Sequence, residues 1–279
     1  MLHTEADVTR ILSDGCLVRG NPNHFMGPAF VAFIDLLGMS RIILTEWGAQ
    51  TDQALWRLLR IKAGVPGDDQ ESQITVCESD PATNKDIEKY LTVTRTISDS
   101  IVTMIALPNK ISPPCRLTYR LSSLLLNIRL VWQQALKEGF TVRGAIEFGE
   151  IFWNEAEIIG PALVNAYRLE SQFANTSRVL VGPELIKLIT SIAESDESLS
   201  GPYSPLHTLT VSDDGLIIID PHVVFTSNQI NSIRVLQEKA GDKRDKYEEL
   251  IQLLGIPGEK VRRPSRKELI EAIVVLTRR

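Results

Sequence analysis

Hydrophobic and polar positions along the chain change period in a way that predicts alternating strands and helices. Residues 29–35 are apolar on both faces, as in a strand of a covered sheet, and residues 90–107 alternate with period two around a polar tip. Residues 36–63 and 115–139 place apolar side chains at helical intervals, with a break near Gly48 in the first. The chain therefore begins as strand, helix, hairpin and helix.

The rest of the chain continues this alternation and ends in helices. Residues 140–160 predict a second hairpin that turns near Gly149 and Glu150, and Pro161 opens a further helix. The remaining segments are assigned by pattern as follows: a short helix and turn-rich connector at 1–27, a loop at 64–88, a strand at 177–182, a helix at 183–195, strands at 206–211 and 215–220, and helices at 226–254 and 266–277. This order predicts an α+β fold, an α/β sandwich with helices covering one sheet.

Composition and charge narrow the class of protein. A chain of 279 residues with 43% hydrophobic and 23% charged residues is typical of one large globular domain, with or without an extension. Its net charge of −5 argues against non-specific nucleic-acid binding. The N-terminus carries acids and no apolar signal core, and no apolar run would span a bilayer. The odd number of cysteines, 3, indicates reduced thiols, so we expect a cytoplasmic protein.

The stretch "VAFIDLLGMS" ends an apolar run in the carboxylate of Asp35 and then turns through Gly38 into a helix. An isolated buried charge is costly, so Asp35 requires a partner. Asp99, at the tip of the first hairpin, is the best candidate, because in a βαββ arrangement the end of the first strand lies beside that tip. Two carboxylates there would suit Mg²⁺ or Mn²⁺. The alternative is that Asp35 caps a helix and Asp99 is a turn residue.

Three arginines also require explanation, because a charged side chain in a partly apolar setting needs a partner. Arg95 shares its strand face with the apolar residues Val93 and Ile97, so it needs a buried acid or a ligand as partner. Arg168 can equally be an exposed helix residue bonded to a glutamate such as Glu170. Arg143, in "VRGAIEFGE", is interpreted as a polar residue of the sheet edge.

Four segments, "FIDLLG", "RTISDSIV", "VRGAIEFGE" and "IIGPALVNAYRLES", resemble in order and spacing the catalytic domains of class III nucleotidyl cyclases. The resemblance covers residues 28–182 and is strongest to the bacterial pyrimidine cyclases of Pycsar antiphage defence systems. It implies a ferredoxin-like βαββαβ core in a cyclase domain at 28–222. An N-terminal helix and connector at 1–27 and a helical extension at 223–279 would flank this domain.

The resemblance also implies roles for individual residues. Asp35 and Asp99 would bind two divalent ions, Mn²⁺ or Mg²⁺, together with the carbonyl of Leu36. The backbone N–H groups of Leu37, Gly38 and Met39 would hold the triphosphate at a helix N-terminus. Arg168 falls at the position of the transition-state arginine. These roles describe attack of the ribose 3′-hydroxyl on the α-phosphorus, which gives a cyclic monophosphate and pyrophosphate.

Base preference is implied by the departures from the purine cyclases. Arg95 and Glu157 fall where adenylyl cyclases keep a base-reading lysine and acid, and Val164 falls where purine cyclases carry an asparagine. Arginine offers a planar fork of donors, which suits the acceptor oxygens of uracil. We therefore expect conversion of UTP to cyclic UMP, with CTP as the close alternative. A purine cyclase and a catalytically inactive cyclase-like dimerisation module stay open.

The resemblance finally implies partners. In class III cyclases the metal carboxylates and the arginine helix come from different subunits, so this chain would form a homodimer with active sites at the interface. We expect no nucleic-acid or membrane partner. The product would act on a cyclic-nucleotide-sensing effector.

Overall fold

The computed structural model describes residues 24–46, 51–64, 73–77, 88–107, 114–154, 156–195, 205–254 and 264–277. The strands are β1 His24–Leu37, β2 Gln73–Cys77, β3 Glu88–Ile97, β4 Ser100–Ala106, β5 Thr141–Asn154, β6 Ile158–Ile159, β7 Val179–Val181, β8 Leu209–Val211 and β9 Ile217–Ile219. The helices are α1 Met39–Glu46, α2 Thr51–Ala63, α3 Pro114–Lys137, α4 Pro161–Phe173, α5 Pro183–Ser195, α6 Pro221–Val224, α7 Ser227–Lys239, α8 Asp245–Leu254 and α9 Arg266–Thr277. The helix predicted near the N-terminus lies outside the described residues.

The strands form one sheet in the order β2-β3-β4-β1-β5-β7-β9-β8, with β6 added to β5. Strands β1, β3, β4 and β5 pair antiparallel and are connected as βαββαβ. Their order, β3-β4-β1-β5, is that of a ferredoxin-like core. The predicted α+β fold class is therefore confirmed.

Strand β1 is the centre of this sheet because it pairs on both sides. It pairs with β5 along its whole length and with β4 from Ala29 to Asp35. Ala32, Ile34 and Leu36 belong to the main core that α3 covers. The other face of β1 carries Asp35 and is covered by α4, so the sheet has helices on both sides.

The ribbon of β1 and β5 curls over the second face. Arg95 pairs with Val102, which itself pairs with Phe33, whereas Trp153 pairs with Phe25. Eight residues of strand separate Phe25 from Phe33, about 26 Å in a flat sheet. The guanidinium carbon of Arg95 nevertheless lies 5.6 Å from the centroid of the Trp153 ring. The outer half of the ribbon must therefore bend back across β4 towards β3.

The turn of the second predicted hairpin was placed wrongly, near Gly149 and Glu150. Strand β5 continues through Gly149 and Glu150 to Asn154, because its neighbour β1 is long enough to pair with it throughout. The chain turns only after Asn154, whose side-chain oxygen accepts bonds of 2.9 and 2.6 Å from the backbone N–H groups of Ala156 and Glu157. An asparagine that holds its own turn in this way is a turn signal.

Other boundaries also differ from the predictions. Residues 24–28 belong to β1 rather than to a connector, since β5 supplies them with strand partners. Residues 73–77, predicted as loop, form β2 against β3. The predicted helix 226–254 is interrupted by a short 3₁₀ turn that begins at Gly241. The observed bounds of α3, α5 and α9 match their predictions closely.

Glu147 is a fully buried acid between α4 and α5. Its Oε1 accepts bonds of 2.9 Å from the backbone N–H groups of Phe148 and Leu185, the latter in the first turn of α5. Its Oε2 has no hydrogen-bond partner among the described residues. Burial outweighs the two hydrogen bonds and raises the pKa of Glu147 from 4.5 to about 7.

Glu147 should make the protein less stable as pH rises. The folded state holds this proton more tightly than the unfolded state, so stability falls as pH increases from about 4.5 to about 7. Replacing Glu147 by glutamine removes this contribution. The free energy of unfolding of the wild type, relative to Glu147→Gln, should fall by about 2–3 kcal/mol between pH 5 and 8.

The measurement is urea unfolding of both proteins at several pH values. Glu238→Gln, which changes an exposed acid on α7, is the matched control and should keep the wild-type pH dependence. Parallel stability curves for the wild type and Glu147→Gln would contradict this account of Glu147.

Candidate functional site

Asp35 lies at the end of β1 with a largely buried carboxylate. Its Oδ2 accepts a bond of 3.1 Å from Nε of Arg143, and its Oδ1 accepts one of 3.3 Å from the hydroxyl of Ser100. Both partners sit directly opposite Asp35 in the sheet, one on β5 and one on β4. The side chain is therefore held in place from both neighbouring strands.

Asp99 lies beside Asp35, in the two-residue turn between β3 and β4. Its backbone carbonyl accepts a bond of 3.1 Å from the N–H of Leu36, and its Oδ2 accepts one of 3.1 Å from the hydroxyl of Ser40. Ser98 precedes it with a φ of 54°, which closes this tight turn. The two acids that are distant in sequence thus meet at one end of the sheet.

Burial is the main cause that raises the pKa of Asp35. The hydrogen bond from Arg143 opposes this rise, and the negative charge of Asp99 adds to it. The two carboxylates therefore repel each other in a partly dry site. Such a pair gains from any cation that lies between them.

The turn after Asp35 presents backbone donors next to this pair. Gly38 has a left-handed φ of +94°, which glycine adopts without strain, and it lies exposed between β1 and α1. Met39 begins α1, and its side chain is buried in the core. Leu37, Gly38 and Met39 therefore stand at a strand-to-helix turn, as the sequence predicts. Their role in phosphate binding remains a prediction.

Arg143 and Glu170 complete the charged cluster, and sequence reasoning missed both. Arg143 is not a residue of the sheet edge, because β5 is flanked by β1 and β7. Its Nε lies 2.8 Å from Oε1 of the buried Glu170 as well as bonding Asp35. Glu170 therefore faces Arg143 rather than Arg168. One guanidinium lies between two carboxylates, which offsets the cost of burying them.

A signal for Glu170 was present in the sequence. On α4 the buried residues are Ala162, Ala166, Leu169, Glu170 and Phe173, which form one helical stripe. An acid on the apolar stripe of an amphipathic helix requires a cation from the element beneath it. Arg143 is the cation that β5 provides.

The other predicted residues lie apart from this cluster. Arg168 is exposed on the outer face of α4, and Glu157 is exposed in the turn after β5. Within the described residues no hydrogen bond or ion pair joins either side chain to Asp35 or Asp99. Arg95 lies on the same sheet face as Asp35 and contacts the Trp153 ring.

A cavity of about 560 Å³ opens beside Asp35. Its lining includes the turn from Leu36 to Gly38, Ser40 and Arg143 on one side and residues of α7 and α8 on the other. This volume is typical of small-molecule sites. The cavity therefore connects the carboxylate end of β1 with the C-terminal helices.

The donor set suits a divalent ion that is shared with a ligand. Among the described residues no group of three or more histidine, cysteine, aspartate or glutamate side chains is arranged to hold a metal. Asp35 and Asp99 with the Leu36 carbonyl supply hard oxygens, but too few for an all-protein cage. Mg²⁺ commonly binds through one or two carboxylates and substrate phosphates.

No family model and no curated protein sequence matches this chain. The solved structures that are similar to it include two that are each described as a bacterial light-regulated adenylyl cyclase. One has 11% identity and a TM-score of 0.36 and covers 58% of this chain and 79% of its own. The other has 10% identity and a TM-score of 0.43 and covers 87% of this chain and 66% of its own. The class of site is therefore argued from its geometry. No helix in the described part is long and apolar enough to cross a membrane.

Removing Arg143 should destabilise the protein by leaving two carboxylates without their cation. We expect Arg143→Met to lower the free energy of unfolding at pH 7 by about 2–3 kcal/mol, since breaking a buried pair leaves an uncompensated charge. Chemical denaturation measures the change. Adding Glu170→Gln should recover part of the loss, and the double-mutant cycle gives the coupling.

Arg129→Met is the matched control, because Arg129 is exposed on α3. This variant should stay within about 0.5 kcal/mol of the wild type. If Arg143→Met is equally mild, or if Glu170→Gln gives no recovery, the ion pairs do not stabilise the site.

Proposed function

We propose that this chain is a nucleotidyl cyclase that converts a nucleoside triphosphate to a 3′,5′-cyclic monophosphate and pyrophosphate. The observation that carries the proposal is the meeting of Asp35 and Asp99 beside the Gly38 turn and the adjoining cavity. Paired acids next to an exposed glycine turn at the start of a helix suit a metal-bound polyphosphate. The order of the four sequence segments supports the same class of enzyme.

In this mechanism the 3′-oxygen bonds to the α-phosphorus as the bond from that phosphorus to the β-bridging oxygen breaks. Pyrophosphate leaves, and the proton of the hydroxyl passes to water. When bound, divalent ions would lower the pKa of the ribose 3′-hydroxyl and neutralise the negative charge of the phosphates. Asp35 and Asp99 would hold these ions, while the Leu37–Met39 turn would orient the phosphates. Arg143 and Ser100 fix the Asp35 carboxylate, so that it needs little reorganisation.

We further propose UTP as the substrate and cyclic UMP as the product. Arg95 stands on the Asp35 face of the sheet, and its guanidinium lies over the ring of the buried Trp153. The acceptor oxygens of uracil complement those donors. CTP, with an exocyclic amine in place of one acceptor, is the close alternative. The product would be bound by a cyclic-nucleotide-sensing effector protein, as in antiphage defence.

The proposed homodimer is supported by the outer face of α4. Val164 is 44% exposed and lies one helical turn from the exposed Arg168, whereas the ring of Tyr167 packs against Phe33 of β1. Arg168 points away from the Asp35 of its own chain, because the opposite stripe of α4 faces the sheet. An arginine presented in this way can reach the acids of a second subunit.

The first test is incubation of the protein with UTP, CTP, ATP or GTP in the presence of Mn²⁺ or Mg²⁺. The products are separated by chromatography and identified by mass spectrometry. We expect cyclic UMP as the main product. Asp35→Asn and Asp99→Asn keep the size of each side chain but remove its charge. Each should lower the rate by more than about a hundredfold, since even partners of metal ligands contribute 10–100-fold.

Asp213→Asn is the matched control, because Asp213 is an exposed acid in the turn between β8 and β9. Its rate should equal that of the wild type. Cyclic AMP as the main product would overturn the base assignment and favour a purine cyclase. If no triphosphate is cyclised, the cyclase proposal falls and a catalytically inactive dimerisation module becomes the better interpretation.

The second test examines whether the active site is shared between subunits. Asp35→Ala and Arg168→Ala chains, each inactive alone, should regain activity when mixed and allowed to exchange. Half of the dimers would be hybrids with one intact site, so about a quarter of wild-type activity is expected. A mixture of Asp35→Ala and Asp99→Ala is the control, since both changes damage the same half of the site. Equal activity of the two mixtures would contradict the shared site.

A further inference from the structure

The cavity beside Asp35 has a wall of positive charge that the C-terminal helices supply. Lys239 ends α7, Lys243 lies in the 3₁₀ turn, and Lys246 lies in the first turn of α8. All three line the cavity, as do Arg41, Arg57 and Arg143. Among the described lining residues Asp35 is the one acid. The cavity thus carries a large excess of positive charge.

The first turn of α8, which carries Lys246, is anchored to the core. The carbonyl of Lys246 accepts a bond of 2.8 Å from the N–H of Ser177, next to β7. Three residues on, Glu249 forms an ion pair of 3.2 Å with Arg178. Tyr247 and Leu250 are buried in the core. The first turn of α8 is therefore fixed relative to the sheet.

Two of the cavity's arginines, Arg143 and Arg57, have protein partners, whereas no described acid side chain pairs with the three lysines. Arg143 is paired with Asp35 and Glu170. Arg57 donates bonds of 2.8 and 2.6 Å to the carbonyl of Glu138 and lies over the ring of Phe140. Among the acid side chains that the structure describes, none forms an ion pair with Lys239, Lys243 or Lys246. Three ammonium groups around one cavity repel each other unless an anion joins them.

We propose that Lys239, Lys243 and Lys246 bind the β- and γ-phosphates of the nucleoside triphosphate. This inference rests on the proposed function and assigns the C-terminal helices to the substrate site. The Gly38 turn, which lines the same cavity, would contact the phosphates from the opposite side. Ammonium groups bind phosphate oxygens as strong, charge-assisted donors. The same lysines would hold pyrophosphate after the reaction.

The test is calorimetric titration of the full chain with inorganic tripolyphosphate in EDTA, so that no metal contributes. The triple variant Lys239→Ala, Lys243→Ala, Lys246→Ala should bind tripolyphosphate at least about tenfold more weakly than the wild type. Replacement of all three lysines by arginine should retain binding. In the cyclase assay the alanine variant should raise KM for the triphosphate more than it lowers kcat.

Arg234→Ala with Arg244→Ala is the matched control, because both arginines are exposed in the same segment and lie outside the cavity lining. This control should bind tripolyphosphate as the wild type does. Circular dichroism and the thermal midpoint verify that every variant is folded. Should Lys246→Ala disturb folding, the Lys239→Ala, Lys243→Ala variant tests the same prediction on two exposed residues.

The outcomes separate this inference from the proposed function. Lysine-dependent tripolyphosphate binding supports the inference even if no triphosphate is cyclised, in which case the cyclase proposal alone falls. Cyclase activity with tripolyphosphate binding that is unchanged in the alanine variant overturns the inference and leaves the cyclase proposal standing. Equal weakening by the arginine control also overturns it, because the effect would then come from overall charge.

Discussion

The pairing of β1 with strands on both of its sides is the constraint on which the site depends. One ladder places Asp35 opposite Ser100, and the other places it opposite Arg143. Because side chains alternate across a strand, a slip of one residue in either ladder would turn Asp35 towards α3 and the apolar core. Burial of Ile34 and Leu36 therefore also fixes where the carboxylate points. The geometry of the site is a consequence of how the core packs.

The acids at the end of β1 are partly neutralised before any ligand arrives. Arg143 lies between Asp35 and Glu170, and this arrangement allows two acids to remain in a partly buried position. Asp99 approaches from the hairpin and is held by Ser40 and by the backbone of Leu36. The site is thus preorganised by its neighbours. The acids still outnumber Arg143, which leaves room for a cation, while the positive wall of the cavity complements a polyanion.

Sequence patterns were sufficient for the fold class and for the encounter of Asp35 with Asp99. Both follow from local periodicity combined with the rule that a βαββ unit returns its hairpin beside the first strand. The turn at Gly149 was predicted wrongly because glycine in a strand can serve close packing as well as turning, and Ala162 lies 3.5 Å from where its side chain would begin.

Arg143, Glu170 and the cavity lysines were harder to find from sequence alone. Glu170 required the recognition that an acid lay on the buried stripe of α4. Lys239, Lys243 and Lys246 are spaced by four and three residues, which is a helical repeat, but the turn at Gly241 interrupts it. The position of Lys246 depends on the contacts of α8 with Ser177 and Arg178, which are long-range contacts that no local pattern encodes. The roles of Arg95, Glu157 and Arg168 remain predictions from the resemblance.

The curl of the β1–β5 ribbon bears on how such a protein can change during evolution. The outer half of the β1–β5 ribbon, which places Trp153 beside Arg95, is positioned by a long backbone ladder. A single substitution therefore cannot move it without disturbing many strand pairs at once. The outer face of α4, in contrast, consists of separate side chains that project from a rigid helix. Substitutions on the outer face of α4 should therefore alter subunit pairing readily. Around Arg95, evolution should change the side chains and leave the backbone of the ribbon in place.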